Sequence, residues 1–221
     1  MSLDANIEGV GSSFSEELFL KCRIKTIEAV KLIAEQIKPG MTEANGHKII
    51  DETLESLGCE KKWHPSKFRI GKNTLKSFKE KSDPTLVLKE NDIFFIDIGP
   101  VFYGHEGDYG ETFVLGESKE FTEIKLASEE IFKVSAEVAE REKLTGPALY
   151  DFAEAHAKKL GYKFNDKMKG HRLGDFPHAI FTRSNLAETE IIPNGNLWVL
   201  EILITHPEEK FGAFFEDLIK I

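Results

Sequence analysis

The sequence predicts an α+β fold built twice, as two related halves that each lay helices on one face of a curved antiparallel sheet. Three observations predict it. Two strand-like runs read almost as copies, Ile93-Phe94-Phe95-Ile96-Asp97-Ile98 and Leu197-Trp198-Val199-Leu200-Glu201-Ile202, each with one carboxylate in an apolar stretch. Aligned on Asp97 and Glu201, they are offset by 104 residues (201 − 97), close to half of the 221-residue chain. The helix-start signals at Thr42 and Gly146-Pro147 share that offset (146 − 42), and the helix-ending Leu57-Gly58 and Leu160-Gly161 fall one residue short of it. Self-similarity at a fixed period marks an internal duplication. An acid at the same place in both halves therefore predicts a shared site on a pseudo-two-fold axis.

The elements follow in order. Apolar residues at Leu18, Cys22, Ile24, Ile27, Val30, Ile33, Ala34 and Ile37 give residues 14–37 one helical face, ended by Pro39-Gly40. Thr42 reads as the N-cap of a second helix through Ile49, Ile50 and Leu54 to Gly58. Residues 60–90 read as loop with a short strand at 67–70. A hairpin follows, with arms at 93–98 and 108–115 and turn residues from Gly104 to Gly107. Helical periodicity returns over 120–143, and Thr145 caps a fourth helix with Leu149, Phe152, Ala153, Ala157 and Leu160 inward. An irregular segment holding Gly170-His171 and His178 leads to a second hairpin with arms near 197–205 and 211–219. Residues 1–221 thus read as a single domain with halves at about 14–115 and 120–219.

Composition narrows the function. With 41% hydrophobic and 30% charged residues the chain is of ordinary globular type. A formal charge of −9 argues against nucleic acid or an anionic membrane as partner. Two cysteines, Cys22 and Cys59, are too few for a disulfide framework. No apolar run approaches the roughly 20 residues of a membrane span, and the polar N-terminus shows no leader core, so a cytoplasmic location is expected.

The carboxylates carry the chemistry. A lone carboxylate in an apolar run is costly to bury unless a cation or a donor answers it. Each hairpin offers a pair, Asp97 with Asp108 and Glu201 with Glu216. Residues facing each other across antiparallel strands have Cβ atoms about 4.5–5.5 Å apart. Carboxylates that close repel unless a proton or a cation bridges them. Four converging carboxylates exceed what one divalent ion neutralises, whereas two ions about 3.5–4 Å apart resolve the charge. An imidazole among the ligands shifts the expected metal from magnesium or calcium towards manganese, cobalt, iron or zinc. Of seven histidines, His47 and His156 fall inside helices and His105 in a turn, where a structural role is expected. His171 lies between Gly170 and Gly174 on a backbone free to bring an imidazole close, and His178 follows seven residues later.

This joint pattern resembles a known family. Ile96-Asp97-Ile98-Gly99, Gly104 and Asp108-Tyr109-Gly110-Glu111-Thr112-Phe113 resemble the double-aspartate signature of the pita-bread metallopeptidases, which include methionine aminopeptidase, aminopeptidase P and prolidase. Gly170-His171-Arg172-Leu173-Gly174 with His178 resembles the family's histidine segment, and Gly212-Ala213-Phe214-Phe215-Glu216-Asp217 the terminal motif of its proline-specific branch. The resemblance implies a pita-bread fold and a dinuclear metal centre of Asp97, Asp108, His171, Glu201 and Glu216. Glu201 would shuttle a proton, His178 would donate to the substrate carbonyl or oxyanion, and Thr112 would hold a metal-bound water. It also implies a peptide as substrate, cleaved at its N-terminal bond, and admits a homodimer.

Departures from the pattern are local. Glu111 stands where relatives carry arginine, Arg172-Leu173 replaces Gly-Ile, and Asn73–Phe78 lacks the histidine that relatives place upstream of the first aspartate. His64, in Trp63-His64-Pro65-Ser66, is the nearest candidate for that substrate-binding role. The methionine branch's His-Gly-Ile-Pro-like stretch is missing, which favours the Xaa-Pro type. Metal-free hydrolases and non-catalytic binding members of the fold lose ligands, and all five are present here.

Overall fold

The computed structural model describes residues 7–220. Residues 1–6, on which part of the leader reading rests, and residue 221 lie outside the described residues. Helix α1 (Glu16–Gln36) starts at Ser15, whose hydroxyl accepts from the Leu18 amide, with Glu16 and Glu17 where the helix dipole favours acids. Its buried face is Phe19, Cys22, Thr26, Ala29, Val30 and Ile33. Ile24, expected on that face, is 53% exposed because it lies outside the i, i+3, i+7 stripe beginning at Phe19. Helix α2 (Glu43–Ser56) opens on a capping box between Thr42 and Asn45, and Gly58 follows it with φ +73, a left-handed turn suited to glycine. Helix α3 (Lys119–Glu142) begins after Ser118, and α4 (Gly146–Lys159) after Thr145. Thr145 holds the N-cap position expected of it, but its side chain makes no capping hydrogen bond.

The strands are β1 (Lys61–Lys62), β2 (Lys67–Ile70), β3 (Asp92–Ile98), β4 (Pro100–Phe102), β5 (His105–Glu106), β6 (Tyr109–Leu115), β7 (Lys163–Phe164), β8 (His171–Arg172), β9 (Trp198–Thr205) and β10 (Gly212–Leu218). The main sheet runs β2-β3-β6-β10-β9-β7, with β8 also paired to β9, and its ladders are antiparallel. That order is symmetric about the β6–β10 seam. Each half contributes one long hairpin with short flanking strands, β2 in the first and β7 and β8 in the second.

The second hairpin has the predicted form, with Glu201 directly opposite Glu216. The first does not. Its arms are joined through a small inset sheet of β1, β4 and β5, and Asp97 pairs with Gly110 while Asp108 sits just before β6. Asp108 therefore reaches the site from the strand's entrance instead of from across the ladder.

Two cores lie on the helix side of the sheet. Cys22, Val30, Ile33 and Ile50 pack against Phe94, Ile96 and Ile98 in the first half. Ile131, Leu149 and Ala153 pack against Trp198, Leu200 and Ile202 in the second. Strand alternation sends Asp97, Glu201 and Glu216 to the opposite face, where Phe95, Met168, Leu203 and Phe214 form a third, small cluster. Fully burying a large apolar side chain contributes about 1.5–3 kcal/mol, so packing fixes helix positions and leaves the other face for chemistry. Among the described residues no helix is long and apolar enough to cross a membrane.

Candidate metal centre

Asp97, Asp108 and Glu216 are buried side by side at the middle of the sheet, at the base of a cavity of about 610 Å³. Two donor sets form there. Atoms of His64, Asp97 and Asp108 lie within 4.8 Å of one another, and so do atoms of Asp108, His171 and Glu216. Asp108 belongs to both. His64 Nε2 is 3.6 Å from Asp97 Oδ1 and 3.4 Å from Asp108 Oδ1. His171 Nε2 is 2.9 Å from Asp108 Oδ2, yet that oxygen has no aligned hydrogen-bond donor. Gly110 makes the approach of the halves feasible, since a Cβ there would stand 2.7 Å from Glu216 Oε1.

The electrostatics are those of an uncompensated cluster. Asp97 Oδ1, Asp108 Oδ2 and Glu216 Oε1 are buried without a hydrogen-bond partner, each a group that is costly to leave unsatisfied. Burial, with the charges of Asp108 and Glu201, pushes the Asp97 carboxyl up to about 7 against the pull of His64. Burial and the neighbouring Asp108 and Asp97 hold Glu216 well above the ordinary range. Burial would lower both imidazoles, but the carboxylates outweigh it and raise His64 and His171 to about 9. Asp108, between the two imidazoles, is lowered despite its burial. The residues fit a pair of divalent ions: oxygen and imidazole donors, orphaned buried oxygens, and four carboxylates whose charge two such ions balance.

Glu201 lines the same cavity but stands outside both donor sets. Its Oε2 accepts the Gly170 amide at 2.6 Å, and its own amide meets the Tyr150 hydroxyl at 3.2 Å. His178 is not part of the cavity wall. Its Nδ1 lies 2.5 Å from Glu106 Oε2, its amide donates to Glu106 Oε1 at 3.1 Å, and its ring packs edge-on against Trp63. The Thr112 hydroxyl donates to the Phe214 carbonyl and accepts from the Phe214 amide, so it joins β6 to β10. His105 is structural as expected, buried on β5 with Nε2 accepting from the Ser15 amide at 2.9 Å.

Glu106, Trp63 and Tyr150 escaped the sequence reading. Glu106 had a signal in its position between glycines two residues before Asp108. Trp63 contacts the rings of His64, His171 and His178, which no local pattern announces. One of the departures is accounted for by its partners. Glu111 faces the helices, bound by Lys31 and by the Tyr109 hydroxyl at 2.9 Å. Arg23 of α1 grips Asp217 with Nε and Nη2 at 2.7 and 2.5 Å, bracing β10 from behind Glu216.

A sequence model of metallopeptidase family M24 matches residues 17–221. The chain belongs to this family. Its fold is similar to that of the X-Pro aminopeptidase from Thermotoga maritima, with a TM-score of 0.74 and 22% identity over 90% of this chain and 56% of that one. It is similar also to the prolidase from Pyrococcus horikoshii, with a TM-score of 0.73 and 20% identity over 91% of this chain and 57% of that one. The methionine aminopeptidase from Thermotoga maritima aligns with a TM-score of 0.69 and 14% identity over 96% of this chain and 91% of that one. The M24 chain spans just over half the length of the first two. No curated protein matches it.

Proposed function

We propose that this M24 protein is a dinuclear metal-dependent aminopeptidase or dipeptidase that hydrolyses an N-terminal peptide bond, with Xaa-Pro peptides favoured. The observation that carries the reading is the pair of donor sets sharing Asp108, lined with orphaned buried oxygens at the base of a cavity open to a short peptide. The Xaa-Pro preference rests on the Gly212-to-Asp217 segment and on the X-Pro aminopeptidase and prolidase among the similar structures.

Asp97, Asp108, His171, Glu201 and Glu216 would hold the ions. Manganese, cobalt, zinc or iron bound there supplies Lewis acidity towards a peptide carbonyl and acidifies water. Glu201, buried at the cavity wall and pushed above its ordinary range by that burial, is the group to take a proton from water and deliver it to the leaving amine. The Gly170 amide fixes one of its oxygens and leaves the other for that transfer. Glu106 orients His178, whose role is to donate to the carbonyl or the developing oxyanion.

The test is hydrolysis by protein loaded with manganese, cobalt or zinc, using an Xaa-Pro dipeptide, a longer Xaa-Pro peptide and a methionyl peptide. Release of the residue preceding proline is expected. Preferential release of methionine reassigns the substrate. Cleavage of none of them by protein shown to carry its metals leaves a peptide-binding member of the fold.

A further inference from the structure

His64 was expected, if anything, to touch substrate, yet it stands in the same relation to the first pair of carboxylates as His171 does to the second. We infer that His64 is a metal ligand, its Nε2 joining Asp97 and Asp108 on one ion as the Nε2 of His171 joins Asp108 and Glu216 on the other. This rests on the proposal that the centre holds metal, and it adds a sixth protein side chain to the five ligands expected there.

Three observations carry it. The first is spacing. Two donors each about 2.1 Å from an ion and at a tetrahedral angle are about 3.4 Å apart, and His64 Nε2 is 3.4 and 3.6 Å from the two aspartate oxygens. These separations are longer than a good hydrogen bond between a nitrogen and a carboxylate oxygen. Asp97 Oδ1, the nearer oxygen of that residue, has no hydrogen-bond partner despite its burial.

The second observation is the tautomer. Metal-binding histidines commonly donate their other ring nitrogen to a carbonyl or carboxylate, which fixes the ring and leaves a lone pair for the ion. His64 Nδ1 is 3.1 Å from the Pro65 carbonyl oxygen, and His171 Nδ1 is 3.2 Å from the Arg172 carbonyl oxygen. Both imidazoles use the carbonyl of the next residue, and both aim Nε2 at Asp108.

The third is the space made for the ring. A Cβ at Gly99 would lie 2.0 Å from His64 Cδ2 and 2.2 Å from His64 Nε2. The glycine following β3 therefore lets the imidazole reach Asp97, while Trp63 and Phe78 hold it edge-on at 4.4 and 5.6 Å. The side chain is 11% exposed and lines the cavity beside Asp97 and Asp108.

The experiment is calorimetric titration of the demetallated full chain with zinc, with circular dichroism to confirm folding. Long-range proton–nitrogen NMR of the imidazoles accompanies it. The parent should take two ions, and the His64 Nε2 resonance should move on loading while those of His105 do not. His64→Ala should weaken one ion by at least about 100-fold, the upper end of the loss caused by removing a partner outside the ligand set. The other ion should be little changed. Gly99→Ala, which keeps the imidazole but displaces it, should weaken the same ion, so the inference does not depend on one variant folding. If both variants titrate like the parent and His64 Nε2 does not respond, His64 is no ligand, although the two-ion centre stands. If the parent takes one ion and His64→Ala takes two, a protonated imidazole occupies the position assigned to the first ion and the inference is overturned. A parent that takes no ion removes the proposed function and this inference together.

Discussion

The two halves share a plan and differ in how each delivers its second acid. In the second, Glu201 and Glu216 face each other across an uninterrupted ladder from Gly212↔Thr205 to Leu218↔Val199. In the first, the inset β4–β5 hairpin lifts Asp108 out of the ladder to a point just before β6. That detour places Asp108 between His64 and His171, where it serves both donor sets. A symmetric scaffold thus yields an asymmetric cluster of acids, because one half supplies its second carboxylate from a strand and the other from a bend.

The sharpest way to break this comparison is to remove the shared acid. Asp108→Ala should lose both ions in calorimetric titration and all measurable turnover while circular dichroism still reports folded helices. Glu216→Ala, which touches only one donor set, should spare the ion held by the first half. Equal loss of both ions in the two variants would contradict the separate sets.

Stripping the metal is the next largest perturbation, and its pH dependence has a definite sign. Asp97 and Glu216 are raised from 3.8 and 4.5, and His64 and His171 from 6.5 to about 9. Each binds its proton more tightly in the folded state, so the contribution is complete below the unfolded value and is lost as pH rises through the folded one. Asp108, shifted downward, contributes stability that is already complete above 3.8. The demetallated protein should therefore lose stability between about pH 4 and about pH 9. Urea midpoints at pH 5, 7 and 9 measure it, and a midpoint that rises over this range contradicts the assigned shifts. Zinc should restore most stability at the alkaline end.

Two histidines separate chemistry from architecture. His178→Ala should lower kcat about 10²–10³-fold, the scale of losing one oxyanion donor, and keep both metals. His105→Ala should leave kcat intact but cost about 1–3 kcal/mol, because the Ser15 amide loses its acceptor in a largely buried position. Steady-state kinetics beside thermal unfolding distinguishes them, and full rate in His178→Ala removes it from the catalytic set.

The smallest contrast lies at the helix starts. Thr42→Ala should cost about 1 kcal/mol through loss of its capping box. Thr145→Ala should cost less, since that side chain caps nothing. Equal midpoints in chemical denaturation would show that the capping box adds no stability.

Much of this was legible in the chain. The β9–β10 hairpin follows from period-two alternation around Glu201 and Glu216, and the helices from capping residues and apolar faces. The inset sheet was not, because two- and three-residue strands such as β4 and β5 are too short to carry a period. Ile24 misled because a face inferred from apolarity alone leaves its rotation loosely set, and packing beside His105 and Gly107 chose Phe19 and Thr26 instead. Glu106, and the place of His64 beside the acids, were hidden for another reason. Their partners, Asp97 and His178, lie 33 (97 − 64) and 72 (178 − 106) residues away, and only the folded sheet brings them together.

The seam between β6 and β10 sets the order in which such a protein can be assembled. Each half's hairpin closes within its own stretch of chain, but the pairs Glu111↔Phe215 and Gly110↔Glu216, with the Thr112 clasp on Phe214, join segments about a hundred residues apart. Closing so long a loop is the entropically expensive step and contacts of that separation slow folding. Asp108 and Glu216 meet only when the seam closes, so neither half alone can present the shared centre, and complete metal binding reports that the two have docked.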